Sequence, residues 1–277
     1  MSIYYHPCEW VHKEFWDGVN FRRGANPPRE QWKPPAQRPA EETEAAFLRF
    51  GEYIDHIRSI PGVRFVTASD LPDLYPDPTR TRGASEEDYN ELVSRLADAK
   101  AGAVDFQVIS GRAYSPADQF ELLAMTVGEL IDGRKPGFPM KAKGLLGPDS
   151  PPPASPQNTH LDWFAFRDAT RDIISFIKAN QRVPSEVFIG ADAVPPADFL
   201  PGLAAVCDFH RKQGRLPLQE GVSIGQNLEL LPARHVAKDT PGLFGGWIIH
   251  KEGFRAPKIL DIARLQAWTL KPAILKQ

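Results

Sequence analysis

The 277-residue chain predicts a mainly α-helical protein with short strands, an α+β fold without a large sheet, and three observations predict it. Apolar residues recur at three- and four-residue spacing over several long segments, as helices with one buried face require. The β-branched runs are short, enough for small strands only. Proline is dense: 27 residues, nearly one in ten, against a background of about 5%. Proline interrupts helices and cannot serve central strands, so elements should be short and connections frequent.

The same composition excludes several function classes. With 42% hydrophobic and 25% charged residues the chain is neither wholly disordered nor membrane-spanning, since no apolar run approaches the ~18 residues a span needs. A formal net charge of −2 lacks the basic surplus of a nucleic-acid binder. Two cysteines, Cys8 and Cys207, allow at most one intrachain disulfide. The N-terminus has no basic region, apolar core or cleavage site of a signal peptide.

The elements follow in order. Ile3–Tyr5 reads as a short strand reaching His6, and residues 7–40, with six prolines and Trp10, Trp16 and Trp32, as an irregular segment pinned by aromatics. Glu41 to about Ser59 is a helix with acids in its first turn, which suits the helix dipole, and Phe47, Phe50, Ile54 and Ile57 inward. Val63–Thr67 alternates like a strand. Ser85 caps a helix carrying Leu92, Val93 and Leu96, and Ser115–Pro116 opens another with Phe120, Leu123, Val127 and Leu130 inward. Residues 133–160 hold seven prolines and no period, and read as a linker without fixed structure. A long helix from Asp162 to Asn180 places Phe166, Ala169, Ile173, Phe176 and Ile177 inward. Val187–Ile189 is a strand, Pro195 to Gln213 a helix, Val222–Ile224 a strand, Trp247–His250 a further strand and Ala256–Thr269 a last helix.

The chain also resembles itself. Ile109–Ala124 aligns with Ile189–Ala204 without gaps, matching at Ile, Ala, Pro-Ala-Asp, Leu and Ala, and Asn180–Gly190 has an echo in Gln213–Gly225. The shared unit is a helix, a turn ending in proline, a short strand ending in glycine, and a Pro-Ala-Asp cap into the next helix. Such units bury one face only by stacking. The segments Gln181–Pro184, Val187–Gly190 and Pro195–Leu203, with Gly214–Pro217 and Val222–Gly225, resemble the pseudomurein-binding repeat over about residues 85–235. That resemblance implies binding of cell-wall or other polysaccharide.

Ser2–Glu9 with Phe15–Trp16 resembles the last block of NodB-like polysaccharide deacetylases, and Gly62–Asp70 the closing strand of their barrel. Residues 1–77 would then be a partial β/α-barrel remnant, and His6 a remnant general acid. The Asp-Asp and His-x-x-x-His blocks of that family have no counterpart here. A divalent, zinc-like metal is therefore expected only in a missing catalytic part, and this chain holds no cofactor of its own. The resemblance implies a C-terminal fragment, inactive alone, of an extracytoplasmic hydrolase of amide bonds. Its domains are the remnant at 1–77, a first repeat-like unit at 85–132, the linker at 133–160 and further units at 161–277.

The partners expected are polysaccharide and an upstream-encoded catalytic half, with no nucleic acid and no membrane span. One alternative is one half of a split deacetylase; another is a structural protein-interaction module. Trp10, Trp16 and Trp32 are candidate substrate-binding platforms, because amphipathic rings suit sugar faces. His6, Cys8 and His12 fit no strong zinc spacing. Asp118 and Asp198 sit at matched first-turn positions where caps and the helix dipole account for them, and Cys207 reads as buried.

Overall fold

The computed structural model describes residues 5–6, 8–97, 102–238 and 250–274. The protein is mainly α-helical, and its strands are two or three residues long. It divides into two compact units: residues 1–70 with 238–257, and residues 71–237 with 258–277. The helical stretches on both sides of the expected linker therefore belong to one unit.

The first unit holds α1 (Cys8–Val11), α2 (Trp16–Phe21) and α3 (Ala40–Ser59). Aromatic side chains hold it: Trp10 packs against Phe50 at 4.7 Å and Phe47 at 5.3 Å between ring centres, fixing α1 to α3. Asn20 stitches the intervening loop. Its amide donates to Trp16 and Lys33 carbonyls, and its carbonyl accepts from the Lys33 N–H. The strand expected at Val63–Thr67 is corrected: that stretch is exposed and unpaired. Alternation alone does not make a strand, because a ladder needs a neighbour for its N–H and C=O groups. Of Ile3–Tyr5, only Tyr5 is described, and it lies in no strand. Residues 247–249 lie outside the described residues, and His250 is in a bend.

The second unit contains the core. Two short helices, α4 (Leu71–Leu74) and α5 (Pro78–Thr81), lead to α6 (Glu86–Ala97). There follow β1 (Ala103–Val104), β2 (Gln107–Ile109), β3 (Arg112–Tyr114) and α7 (Pro116–Ile131), then β4 (His160–Leu161) and α8 (Trp163–Asn180). The chain continues through β5 (Val187–Ile189), β6 (Asp192–Val194), α9 (Pro196–Gln213), β7 (Val222–Ser223), β8 (Glu229–Leu230) and α10 (Pro257–Gln266). Helix α9 packs on α6 and α7, and α7 also packs on α8. Leu92, Phe120, Leu123, Phe166, Phe199 and Leu203 are fully buried between them. Phe166 and Phe199 stack at 4.7 Å, and burying each such ring contributes about 1.5–3 kcal/mol.

Caps set where the helices begin. The Ser115 hydroxyl accepts from the Asp118 N–H and the Asp118 carboxylate from the Ser115 N–H, a reciprocal box. Ser85 and Asp88 repeat it at α6, and Asp162 accepts from Phe164 and Ala165 at α8.

Strands β2–β3 and β5–β6 form two hairpins of the same length and register. Gln107 opposes Tyr114, and Val187 opposes Val194, at equivalent positions of the self-similar segments. Two-residue turns close both. Ser110 and Gly111 both have positive φ, whereas at the second turn Gly190 alone does; these are the two geometries that match strand twist. The echo at Gln213–Gly225 folds differently. Gly214 caps α9 in the left-handed conformation as Gln181 caps α8, but β7 then pairs with β4 instead of forming a hairpin.

The stretch 133–160 is corrected from a free linker to a packed strap. It has no helix, as its prolines dictate, yet Ala142 and Leu145 are 3% exposed. Met140 pairs with Ala84 and Leu146 with Arg182 as isolated bridges. The buried Glu121 carboxylate accepts the Lys143 N–H at 2.9 Å. Backbone hydrogen bonds and apolar side chains along the strap offset the entropy of ordering it.

Candidate functional site

The tryptophans singled out from sequence occupy two places in the first unit. Trp10 is half-buried in the α1–α3 contact, where it acts as a pin. Trp16 and Trp32 meet edge to face at 5.0 Å with Phe21 beside both, and they are 41% and 38% exposed. The Trp32 indole N–H donates to the Pro27 carbonyl at 3.1 Å. His6 meets the Phe15 ring edge-on at 4.8 Å, and its carbonyl accepts from the Glu9 N–H. Among the described residues no three His, Cys, Asp or Glu side chains converge as metal ligands. The metal implied by the deacetylase resemblance is expected outside this chain, and no step through a metal is assigned to it.

The second unit carries a groove that the sequence reading did not single out. Helix α8 presents Ala169, Asp172, Ile173 and Phe176, spaced three and four residues apart, along one wall. The left-handed Gln181 ends the helix and turns the chain through Val183–Pro184 into β5. Along β5 the faces alternate: Val187 is buried, while Phe188 points out and is 54% exposed. The strap closes the third side. Arg182 pairs with Asp149 at 3.0 Å, the Ser185 hydroxyl donates to Asp149 at 2.9 Å, and the Ser150 N–H donates to Ser185. The Ser185 hydrogen bond and the Arg182 guanidinium together hold the Asp149 carboxyl below the usual carboxylate range.

The result is a groove of about 300 Å³, within the range of small-ligand sites, with an apolar floor of Ala169, Ile173 and Val187. Phe176 and Phe188 offer ring faces. Asp149, Asp172, Ser185 and Glu186 offer oxygens at the rim. Phe176 was expected to point inward; it is half-buried at this rim instead. The signal available in the sequence was the outward phase of Phe188 between Val187 and Ile189, on a strand that was itself recognised.

A cavity of about 440 Å³ walled by prolines and Trp268 lies elsewhere in the same unit. Its polar groups are engaged. Asp198, fully buried, accepts from the Ser155 hydroxyl and from the N–H groups of Asn227 and Leu228. Arg264 pairs with Asp261 at 2.7 Å. The α8–β5 groove keeps ring faces beside the unpaired oxygens of Asp172 and Glu186.

The matched aspartates are built into the frame. Asp118, 1% exposed, completes its cap and receives Lys271 Nζ at 2.7 Å; the same ammonium lies 2.7 Å from Asp77 and 3.0 Å from the Thr79 hydroxyl. Burial opposes ionisation of Asp77, but Lys271 and Thr79 outweigh it and hold that carboxyl below its ordinary value. Both cysteines are free, and burial pushes the Cys207 thiol up to about 12. No described helix is long and apolar enough to cross a membrane. No family model, curated protein or solved structure matches the chain.

Proposed function

We propose that the chain binds polysaccharide through the α8–β5 groove, as a wall- or glycan-recognition protein built on repeated helix–hairpin–helix units. The observation that carries this reading is the pairing of half-buried Phe176 and exposed Phe188 with a rim of hydroxyl and carboxylate oxygens. Sugar rings present an apolar face to aromatic carbons and an equatorial belt of hydroxyls to such oxygens. The repeat reading is supported by the equal register of the two hairpins, each followed by a Pro-Ala-Asp helix start. In the first copy Arg95 reaches over β2 to the Val108 carbonyl.

The N-terminal part of the proposal is kinship with NodB-like deacetylases, with His6 as a remnant general acid. Its support is the His6–Pro7 segment. The proposal makes the chain a binding partner of such chemistry. Trp16 and Trp32 are a second candidate platform, supported by their exposure.

Retention of the full chain on insoluble polysaccharides tests the reading. Phe188→Ala is expected to weaken retention at least tenfold while shifting stability by no more than about 0.5 kcal/mol, as for an exposed side chain. Unchanged retention would place any binding outside this groove. Loss with Trp16→Ala and Trp32→Ala instead would move the site to the first unit.

A further inference from the structure

The α8–β5 groove has an acidic rim. Its rim carries Asp149, Asp172 and Glu186, and no lysine or arginine lines it among the described residues. Asp149 is already neutralised by Arg182 at 3.0 Å. Asp172 on α8 and Glu186 before β5 are exposed, and neither has an ion-pair or hydrogen-bond partner among the described residues. The nearby basic residues of α8 are spent elsewhere: Arg167 pairs with Asp168 at 2.8 Å and Arg171 with Asp132 at 3.8 Å. Two opposite walls of one apolar groove thus each hold an uncompensated carboxylate.

Resting on the glycan reading above, we infer that the groove prefers amino sugars whose nitrogen is free and protonated over their N-acylated or neutral counterparts. A ring seated on the floor between Phe176 and Phe188 brings its substituents to the rim. A protonated amine there meets Asp172 or Glu186 in a charge-assisted hydrogen bond, roughly twice as strong as a neutral one. An acetamide at the same place has lost the charge and two of the three N–H donors. A neutral hydroxyl leaves both carboxylates without an ionic partner. Both carboxylates are exposed, so added salt screens the pairing.

Calorimetric titration of the full chain tests this with four probes at pH 6: the β-1,4-linked hexamers of glucosamine, N-acetylglucosamine and glucose, and hexalysine. The expected result is binding of the glucosamine hexamer at least tenfold tighter than either other sugar, falling with added salt. Asp172→Asn with Glu186→Gln is expected to bring the three sugars to within about threefold while leaving the melting temperature unchanged, since both side chains are exposed. Equal affinity for the three sugars with the native chain overturns the inference and leaves the glycan reading intact. Preference for the acetylated hexamer does the same. Hexalysine binding as tightly as the glucosamine hexamer overturns it, because the groove would then read charge without a sugar ring. No binding of any sugar by a folded chain overturns both.

Discussion

Lys271 lies far along the chain from the carboxylates it joins, and its pairing with Asp77 and Asp118 ties the C-terminal segment to α5 and α7. Asp118 is 2% exposed at its side chain and Lys271 16%, so solvent does little to replace a lost partner. Lys271→Ala is expected to cost roughly 3 kcal/mol, because it strands a buried carboxylate; the midpoint of urea unfolding measures it. The pH dependence follows from Asp77. A carboxyl held below its ordinary value contributes stability that is fully present above the unfolded value of about 3.9. That contribution is lost as pH falls through the lower folded value. Stability of the native chain should therefore fall below about pH 4, and Lys271→Ala should flatten that acid limb. Titration of the urea midpoint from pH 6 to pH 2 reads both effects, and an unchanged limb would remove the ammonium as its cause.

At the scale of elements, the two hairpins depend on their turns. Gly111 has φ of 72° and Gly190 62°, with open space around both positions, so alanine there meets only the left-handed backbone penalty. Gly111→Ala and Gly190→Ala are each expected to cost about 1–2 kcal/mol, read by urea unfolding; an effect near zero would mean that the turn relaxes to another type. The elements whose signals are local were legible in the sequence. Helices α3 and α6–α9 announce themselves through spacing and caps, and β5 through three apolar residues before a glycine. Val63–Thr67 was misread because its alternation says nothing about a partner. The strap was misread because its prolines forbid helix without saying whether Ala142 and Leu145 find a core. Of the candidate site, the tryptophans were visible by residue type. The groove was not, since it joins α8, β5 and a strap whose mutual approach no local pattern records.

Across the whole molecule, burial is uneven. Among the described residues, the buried hydrophobic side chains belong to the second unit. Helix α3 has no buried residue, and Phe47 and Leu48 on it are 45% and 61% exposed. Native-state hydrogen exchange should therefore show amides of α3 opening with much lower protection than those of α7 and α9, which should approach the global limit. Equal protection in the two units would mean that they unfold together.

The first unit has a further property: it is assembled from residues 1–70 and 238–257, with the second unit's chain between them. On the ribosome its first segment emerges well before its second. At about 5–20 residues per second, the roughly 170 intervening residues take on the order of ten to thirty seconds to make. During that interval the first unit lacks its second segment. A cut between the two units cannot release the first as a single piece of chain.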